Sequence, residues 1–208
     1  MERRTTNRED SAGAPVLLVI SGPSGVGKDA VVAGLRKALP SAFFATTMTT
    51  RPPRPGEREG VDYRFLTEAE YDRLVAENGF LERATVYTHR YGVPKGEVRE
   101  ALENGRDVVV RVDVQGAATI KRLIPEAVLV FLAPESREEI EKRLHDRATD
   151  TGAELRVRLD TFSREMAQEN AFDHIVVNAE GRLDEAVSRI VEIVESERRH
   201  GGQGPVQI

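Results

Sequence analysis

The feature that most constrains this chain is an aliphatic run, Val16-Leu17-Leu18-Val19-Ile20, followed after Ser21 by Gly22-Pro23-Ser24-Gly25-Val26-Gly27-Lys28 and then by the helical pattern that begins at Asp29-Ala30. An unbroken aliphatic stretch of this length reads as a strand buried on both faces, which is the environment of a parallel sheet. Glycines at 22, 25 and 27 let the backbone turn so that successive N–H groups point inward, and the helix that follows aims its positive end the same way. Such a loop cradles phosphate oxygens, and Lys28 adds a point charge for the outer phosphates. The alternative is an ordinary tight strand-to-helix turn. Asp29 stands where a phosphate loop normally places Ser or Thr to ligate Mg²⁺, and Ala30 cannot substitute for that hydroxyl. We therefore expect Mg²⁺ to be held largely by phosphates and waters, with Asp29 touching it directly or through water.

Further strands are expected at Val108 to Val112, Ala127 to Leu132 and His174 to Asn178, where β-branched and aliphatic residues cluster between turn signals. Helices open at two S/T-x-x-E capping boxes, Thr67 with Glu70 and Ser136 with Glu139. Strand and helix alternate, which predicts an α/β fold: a parallel sheet flanked by helices, with ligands at the carboxyl ends of its strands. Residues 46 to 93 break the rhythm and read as an insertion carrying a small sheet. The 208 residues suit one α/β domain with such an insertion. Residues 1 to 13 read as a mobile tail, and the Gly/Pro-rich end, 199 to 208, as a flexible one.

Composition removes several function classes. With no cysteine there is no disulfide, thiolate nucleophile or Cys-based zinc site, and the four histidines show no ligand spacing. A net charge of −5 argues against broad binding to nucleic acid, so any polyphosphate must be met by local cations. No apolar run approaches the ~20 residues of a membrane span, and the polar first ten residues do not resemble a secretory signal. The expected compartment is the cytoplasm.

The segments SGPSGVGK, TTRPPRPGEREGVDY, LERATVYTHRYG and VDVQGA occur in an order and at spacings that resemble guanylate kinase, from about residue 16 to residue 196. The resemblance implies a P-loop NTPase core (14–45, 94–140 and 167–198), a GMP-binding insertion of mixed sheet (46–93) and a helical lid (141–166). It also implies transfer of the ATP γ-phosphoryl group to GMP. By the same resemblance Arg51, Arg54, Tyr63 and Tyr91 match positions that grip the GMP phosphate, and Thr47 and Glu82 match those that hold guanine. Asp113 matches an acidic residue near the metal and the acceptor. Arg147 and Arg158 match the two lid arginines, and Asn178 matches an adenine-side position; Arg143, one turn before Arg147, can share its face of the helix. The chemistry agrees with the matches. Guanidinium forks and phenols can neutralise and orient a phosphate dianion, and a carboxylate can accept from both guanine N1–H and the 2-amino group, which adenine does not offer.

Three positions depart from the family pattern. Besides Asp29-Ala30, Val93 stands where a guanine-contacting Ser or Thr is usual. Arg111 stands where an acidic residue is usual, and its positive charge can offset Asp29. GKD in the loop and YGV after the insertion resemble ribose 1,5-bisphosphokinase, which gives a second reading with a sugar bisphosphate as acceptor. A third reading is a catalytically silent guanylate-kinase-like binding module.

Overall fold

The aliphatic runs become the strands of a five-stranded parallel sheet ordered β2-β7-β1-β8-β9 in the computed structural model, which describes residues 13–86, 88–136, 139, 160–199 and 208. Here β1 is Leu17–Ser21, β2 Phe43–Phe44, β7 Val108–Arg111, β8 Val128–Ala133 and β9 His174–Val177. Most bounds fall within a residue of the hydrophobic runs, because hydrogen-bond ladders rather than apolarity end a strand. Val16, for example, gives its N–H to the Asp107 carboxylate at 2.9 Å instead of to a neighbouring strand.

Alternation along β1 sends Leu18 and Ile20 to one face and Leu17 and Val19 to the other. The first face packs on Val31 and Leu35 of α1 (Lys28–Ala38) and on Ala186, Val187, Ile190 and Ile193 of the C-terminal helix Leu183–Arg199. The second packs on Val98 and Leu102 of α3 (Lys95–Glu103) and on Ala117 and Ile120 of α4 (Val114–Leu123). Helices thus cover both faces, and each fully buried Leu or Ile contributes roughly 1.5–3 kcal/mol. Ile208 packs partly buried against the second cluster.

A second, mixed sheet, β4-β3-β6-β5, lies within residues 48–94. In it β3 (Met48–Thr49) runs parallel to β4 (Arg64–Phe65) and antiparallel to β6 (His89–Pro94), which forms a hairpin with β5 (Phe80–Val86). Thr67 caps α2 (Glu68–Ala76) with the full reciprocal capping box that its spacing predicts. The register of β5 shifts between Phe80 and Glu82. Around this irregularity Phe80 stacks on Tyr71, Leu81 enters the main core, and Glu82 lines a cleft. Residues 160–166, at the end of the segment expected to form a lid, are helical and are labelled α5; the C-terminal helix is α6. Among the described residues no helix is long and apolar enough to cross a membrane.

Candidate active site

The glycine loop leaves the carboxyl end of β1, the central strand. Gly27 begins α1 in the left-handed region at φ 95°, and a Cβ there would fall 2.6 Å from Asn178 Nδ2, so the position requires glycine on both counts. Asn178 is buried beneath the loop and donates to the Val26 carbonyl at 2.7 Å. Its carboxamide thus braces the loop from behind. Lys28 folds back to donate to the carbonyls of Gly22 at 2.6 Å and Pro23 at 3.0 Å. Burial lowers its pKa to about 8; the Glu165 carboxylate opposes that shift, Arg111 adds to it and Asp113 opposes it.

A cleft of about 240 Å³ joins this loop to the second sheet, lined by Ser24, Lys28, Thr47, Tyr63, Glu82 and Tyr91 together with Arg111, Asp113 and Glu165. Seven of the sequence-predicted residues therefore share one wall-to-wall space: Ser24, Lys28, Thr47, Tyr63, Glu82, Tyr91 and Asp113. Glu82 is 5% exposed. Burial and, next, the charge of Asp113 push its pKa up to about 7, and no cation among the described residues offsets them. Gly116 lets α4 approach it, since a Cβ there would lie 3.0 Å from the Glu82 carboxyl carbon. Asp113 caps α4 by accepting the Gly116 N–H at 2.8 Å, so the plain role of a helix cap and a place in the cleft coincide in one residue.

Arg51 and Arg54 are not among the residues that line this cleft. Arg51 is 7% exposed, and its Nη2 donates to both oxygens of Glu57, at 2.7 and 3.0 Å. Burial works against its charge, but hydrogen bonds with Glu57 and Tyr91 raise its pKa. The Arg51 Nε is buried with no hydrogen-bond partner among the described residues. Arg54 gives its backbone N–H to Glu57 at 2.7 Å, and the residue is exposed. Val93 is fully buried in the second core cluster, opposite Glu82 in the β5–β6 register, and packs there as an aliphatic side chain. Asp29 is ion-paired with Arg111, the compensation that their opposite charges suggested. Arg143, Arg147 and Arg158 lie outside the described residues.

Two acidic residues escaped the sequence reading. Glu165 accepts the Ser24 N–H at 3.0 Å, with burial raising its pKa while the Ser24 N–H and Lys28 lower it. Glu57 sits on Arg51. Each carboxylate holds a donor of the kind that would bind a phosphate oxygen. Glu57 belongs to the quoted insertion motif and its place beside Arg51 was a usable hint; Glu165 reads only as one more polar position of a helix.

For a metal, the described residues contain no group of three or more His, Cys, Asp or Glu that could hold an ion. A hard cation takes oxygen ligands, and the carboxylates of Asp29 in the first turn of α1 and of Asp113 in the cleft are of that kind.

Comparison with known proteins follows the same lines. The guanylate kinase family model matches residues 15–197. Guanylate kinase 2, chloroplastic/mitochondrial, of rice is 44% identical over 185 residues, which span 88% of this chain and 65% of that protein. The guanylate kinase of Cutibacterium acnes is 43% identical over 183 residues, covering 88% of this chain and 91% of its own length. A guanylate kinase of Thermus thermophilus is 43% identical, with 90% of this chain and 84% of that protein covered. The crystal structure of guanylate kinase from Anaplasma phagocytophilum superposes with a TM-score of 0.70 at 28% identity, over 89% of this chain and 87% of that one. Matches that run through both the glycine loop and the inserted sheet, in sequence and in three dimensions, establish that this chain belongs to the guanylate kinase family.

Proposed function

We propose that the chain catalyses ATP-dependent phosphorylation of GMP, and of dGMP, with the donor on the loop Gly22 to Gly27 and the acceptor in the cleft beneath the second sheet. The observation that carries this reading is Glu82, a buried carboxylate without a compensating cation among the described residues, which lines the same cleft as Lys28. Such a group needs hydrogen-bond donors from a ligand, and guanine N1–H and its 2-amino group supply two, with Thr47 beside them. A sugar bisphosphate would bring negative charge toward Glu82, which speaks against ribose 1,5-bisphosphate. Lys28, with its cleft-facing role, speaks against a silent binding module.

In this account the backbone N–H groups of Ser24 to Lys28 and the Lys28 ammonium hold the triphosphate, Asp29-Ala30 begin the helix under it, and Asn178 keeps the loop in shape. Tyr63 and Tyr91 direct their hydroxyls to the acceptor phosphate, with Arg51 and Arg54 recruited once that phosphate displaces Glu57. Asp113 stands between donor and acceptor, and Val93 leaves the guanine oxygen one donor short, which weakens binding without abolishing it. Mg²⁺, when bound, neutralises charge on the transferring phosphates. Arg147 and Arg158 are assigned to the spreading charge on the phosphoryl group, where a supplied arginine is worth ~10³–10⁵ in rate. The acceptor is already an ionised phosphate oxygen, so positioning and electrostatics suffice without a general base. We assign the insertion to 46–93, the lid to 141–166 and the core to the remainder of 14–198.

A coupled ADP-release assay with GMP, dGMP, AMP, UMP and ribose 1,5-bisphosphate tests the proposal. GMP and dGMP are expected to lead. Preference for the sugar bisphosphate, or silence with all five, would reject it.

A further inference from the structure

Arg111 leaves the carboxyl end of β7, which lies beside β1 with Ile20 and Arg111 in register. That register delivers its guanidinium to the seam between the glycine loop and the second sheet. There Nη1 pairs with the Asp29 carboxylate in the first turn of α1, and Nη2 donates to the Asp62 carbonyl at 3.3 Å. The guanidinium carbon also lies 4.7 Å from the centre of the Tyr63 ring, while that of Arg51 lies 5.2 Å from the same ring. One side chain therefore touches the donor-side helix and, just ahead of β4, the acceptor-side insertion at once.

The pair with Asp29 is unequal. The Arg111 side chain is 16% exposed and Asp29 is 80% exposed. Arg111 is thus the fixed member and Asp29 the member free to turn, one residue from Lys28. A carboxylate there sits at the positive end of α1, where it competes for the field that otherwise serves phosphate. On the other side two guanidinium groups lie near the Tyr63 ring, each within the range at which a guanidinium is attracted to an aromatic ring. Arg111 removed, Asp29 loses its counter-charge and Tyr63 loses one of its two supports.

We propose that Arg111 is a positioning residue for both substrates: it neutralises Asp29 so that the glycine loop accepts a triphosphate, and it braces Tyr63 for contact with the acceptor phosphate. The proposal rests on the site reading above. The two halves make separable claims, because only the first runs through Asp29. Loss of Arg111 should damage ATP binding in a way that removal of the Asp29 charge repairs, and damage GMP binding in a way that it does not.

The test is a double-variant cycle by isothermal titration calorimetry on the full chain: wild type, Arg111→Gln, Asp29→Ser and the combined variant. Glutamine keeps much of the side-chain stem while removing the charge. Each protein is titrated with ATP in EDTA, so that metal plays no part, and separately with GMP. Arg111→Gln should raise the ATP Kd about tenfold, a loss of the size that one unscreened charge near the binding site produces. The combined variant should return to within about threefold of Asp29→Ser. The GMP Kd should rise about fivefold in Arg111→Gln and in the combined variant alike, with Asp29→Ser within about twofold of wild type. Recovery of ATP affinity in the combined variant also shows that the substituted chain is folded. An ATP affinity unmoved by Arg111→Gln, or a loss that Asp29→Ser leaves unrepaired, overturns the donor half. A GMP affinity that Arg111→Gln leaves alone, or that Asp29→Ser restores, overturns the bracing half. Wild type that binds ATP with the expected cycle but fails to bind GMP faults the acceptor-site reading and leaves the donor half standing.

Discussion

Lowering the pH from 8 to 6 should weaken GMP binding about tenfold through one side chain. Free of ligand, Glu82 has a pKa of about 7, raised by burial and then by Asp113. Guanine donates two hydrogens and needs the carboxylate, so binding must release the proton wherever Glu82 carries one. The apparent Kd then scales as 1 + 10^(7−pH), which is about 1.1 at pH 8 and about 11 at pH 6, or ~1.4 kcal/mol. The acceptor phosphate titrates near pH 6 as well and adds a factor of about two at most. Glu82→Gln separates the two effects, because its weaker GMP binding should keep only the twofold part. Calorimetry in buffers of different ionisation heat should find about half a proton released per GMP at pH 7. A wild-type Kd that changes no more than that of Glu82→Gln between pH 8 and 6 would refute the argument. The same shift bears on stability, with the opposite use of its sign. A carboxyl whose folded pKa lies above its unfolded value of 4.5 loses stability as pH rises from that value to about 7. The cost is on the order of 3 kcal/mol above pH 7. Glu82→Gln should accordingly raise the melting temperature at pH 8 and lose most of that advantage near pH 4.5, a gain in stability bought with function.

Lys28, with its pKa lowered to about 8, must be protonated to hold a triphosphate, so the ATP Kd should rise about fivefold from pH 8 to pH 9 and stay nearly flat from 7 down to 6.5. Glu165→Ala frees the Ser24 N–H and removes a carboxylate from the phosphate site; equilibrium titration at pH 7 should show ATP binding about threefold to tenfold tighter, and weaker binding would contradict the placement of the triphosphate there. Gly116→Ala forces a methyl to 2.9 Å from Val112 Cβ and 3.0 Å from the Glu82 carboxyl carbon. It should cost about 1–3 kcal/mol in thermal unfolding and raise the KM for GMP more than that for ATP.

How far the sequence spoke depended on how local each signal was. The loop from Gly22 to Lys28 is contiguous, its chemistry is that of its own backbone, and it was legible without a partner. So were the capping box at Thr67 and the aliphatic strands, which depend on neighbours a few residues away. Glu165 meets Ser24 across 141 residues, and nothing in its own helix separates it from any other polar position. The motif marks Asn178 as an adenine-side position; that its side chain donates to the Val26 carbonyl follows from the packing of the strand end against the loop, which no spacing encodes. Arg111 and Asp29 each stood out as a charge out of place; that they meet depends on β7 lying beside β1, a sheet order the sequence does not spell out. Val93 illustrates the converse. Its place in the motif points only to a base contact, whereas its aliphatic side chain is also buried in the core cluster.

Acceptor selectivity tests the central assignment most directly: kcat/KM for GMP against AMP, in wild type and in Glu82→Ala. A buried carboxylate that reads guanine should give wild type a preference of about 10⁴-fold, which falls to within about tenfold in the variant as GMP turnover collapses toward that of AMP. A preference that survives the loss of Glu82 intact would place the base elsewhere and contradict the site described here.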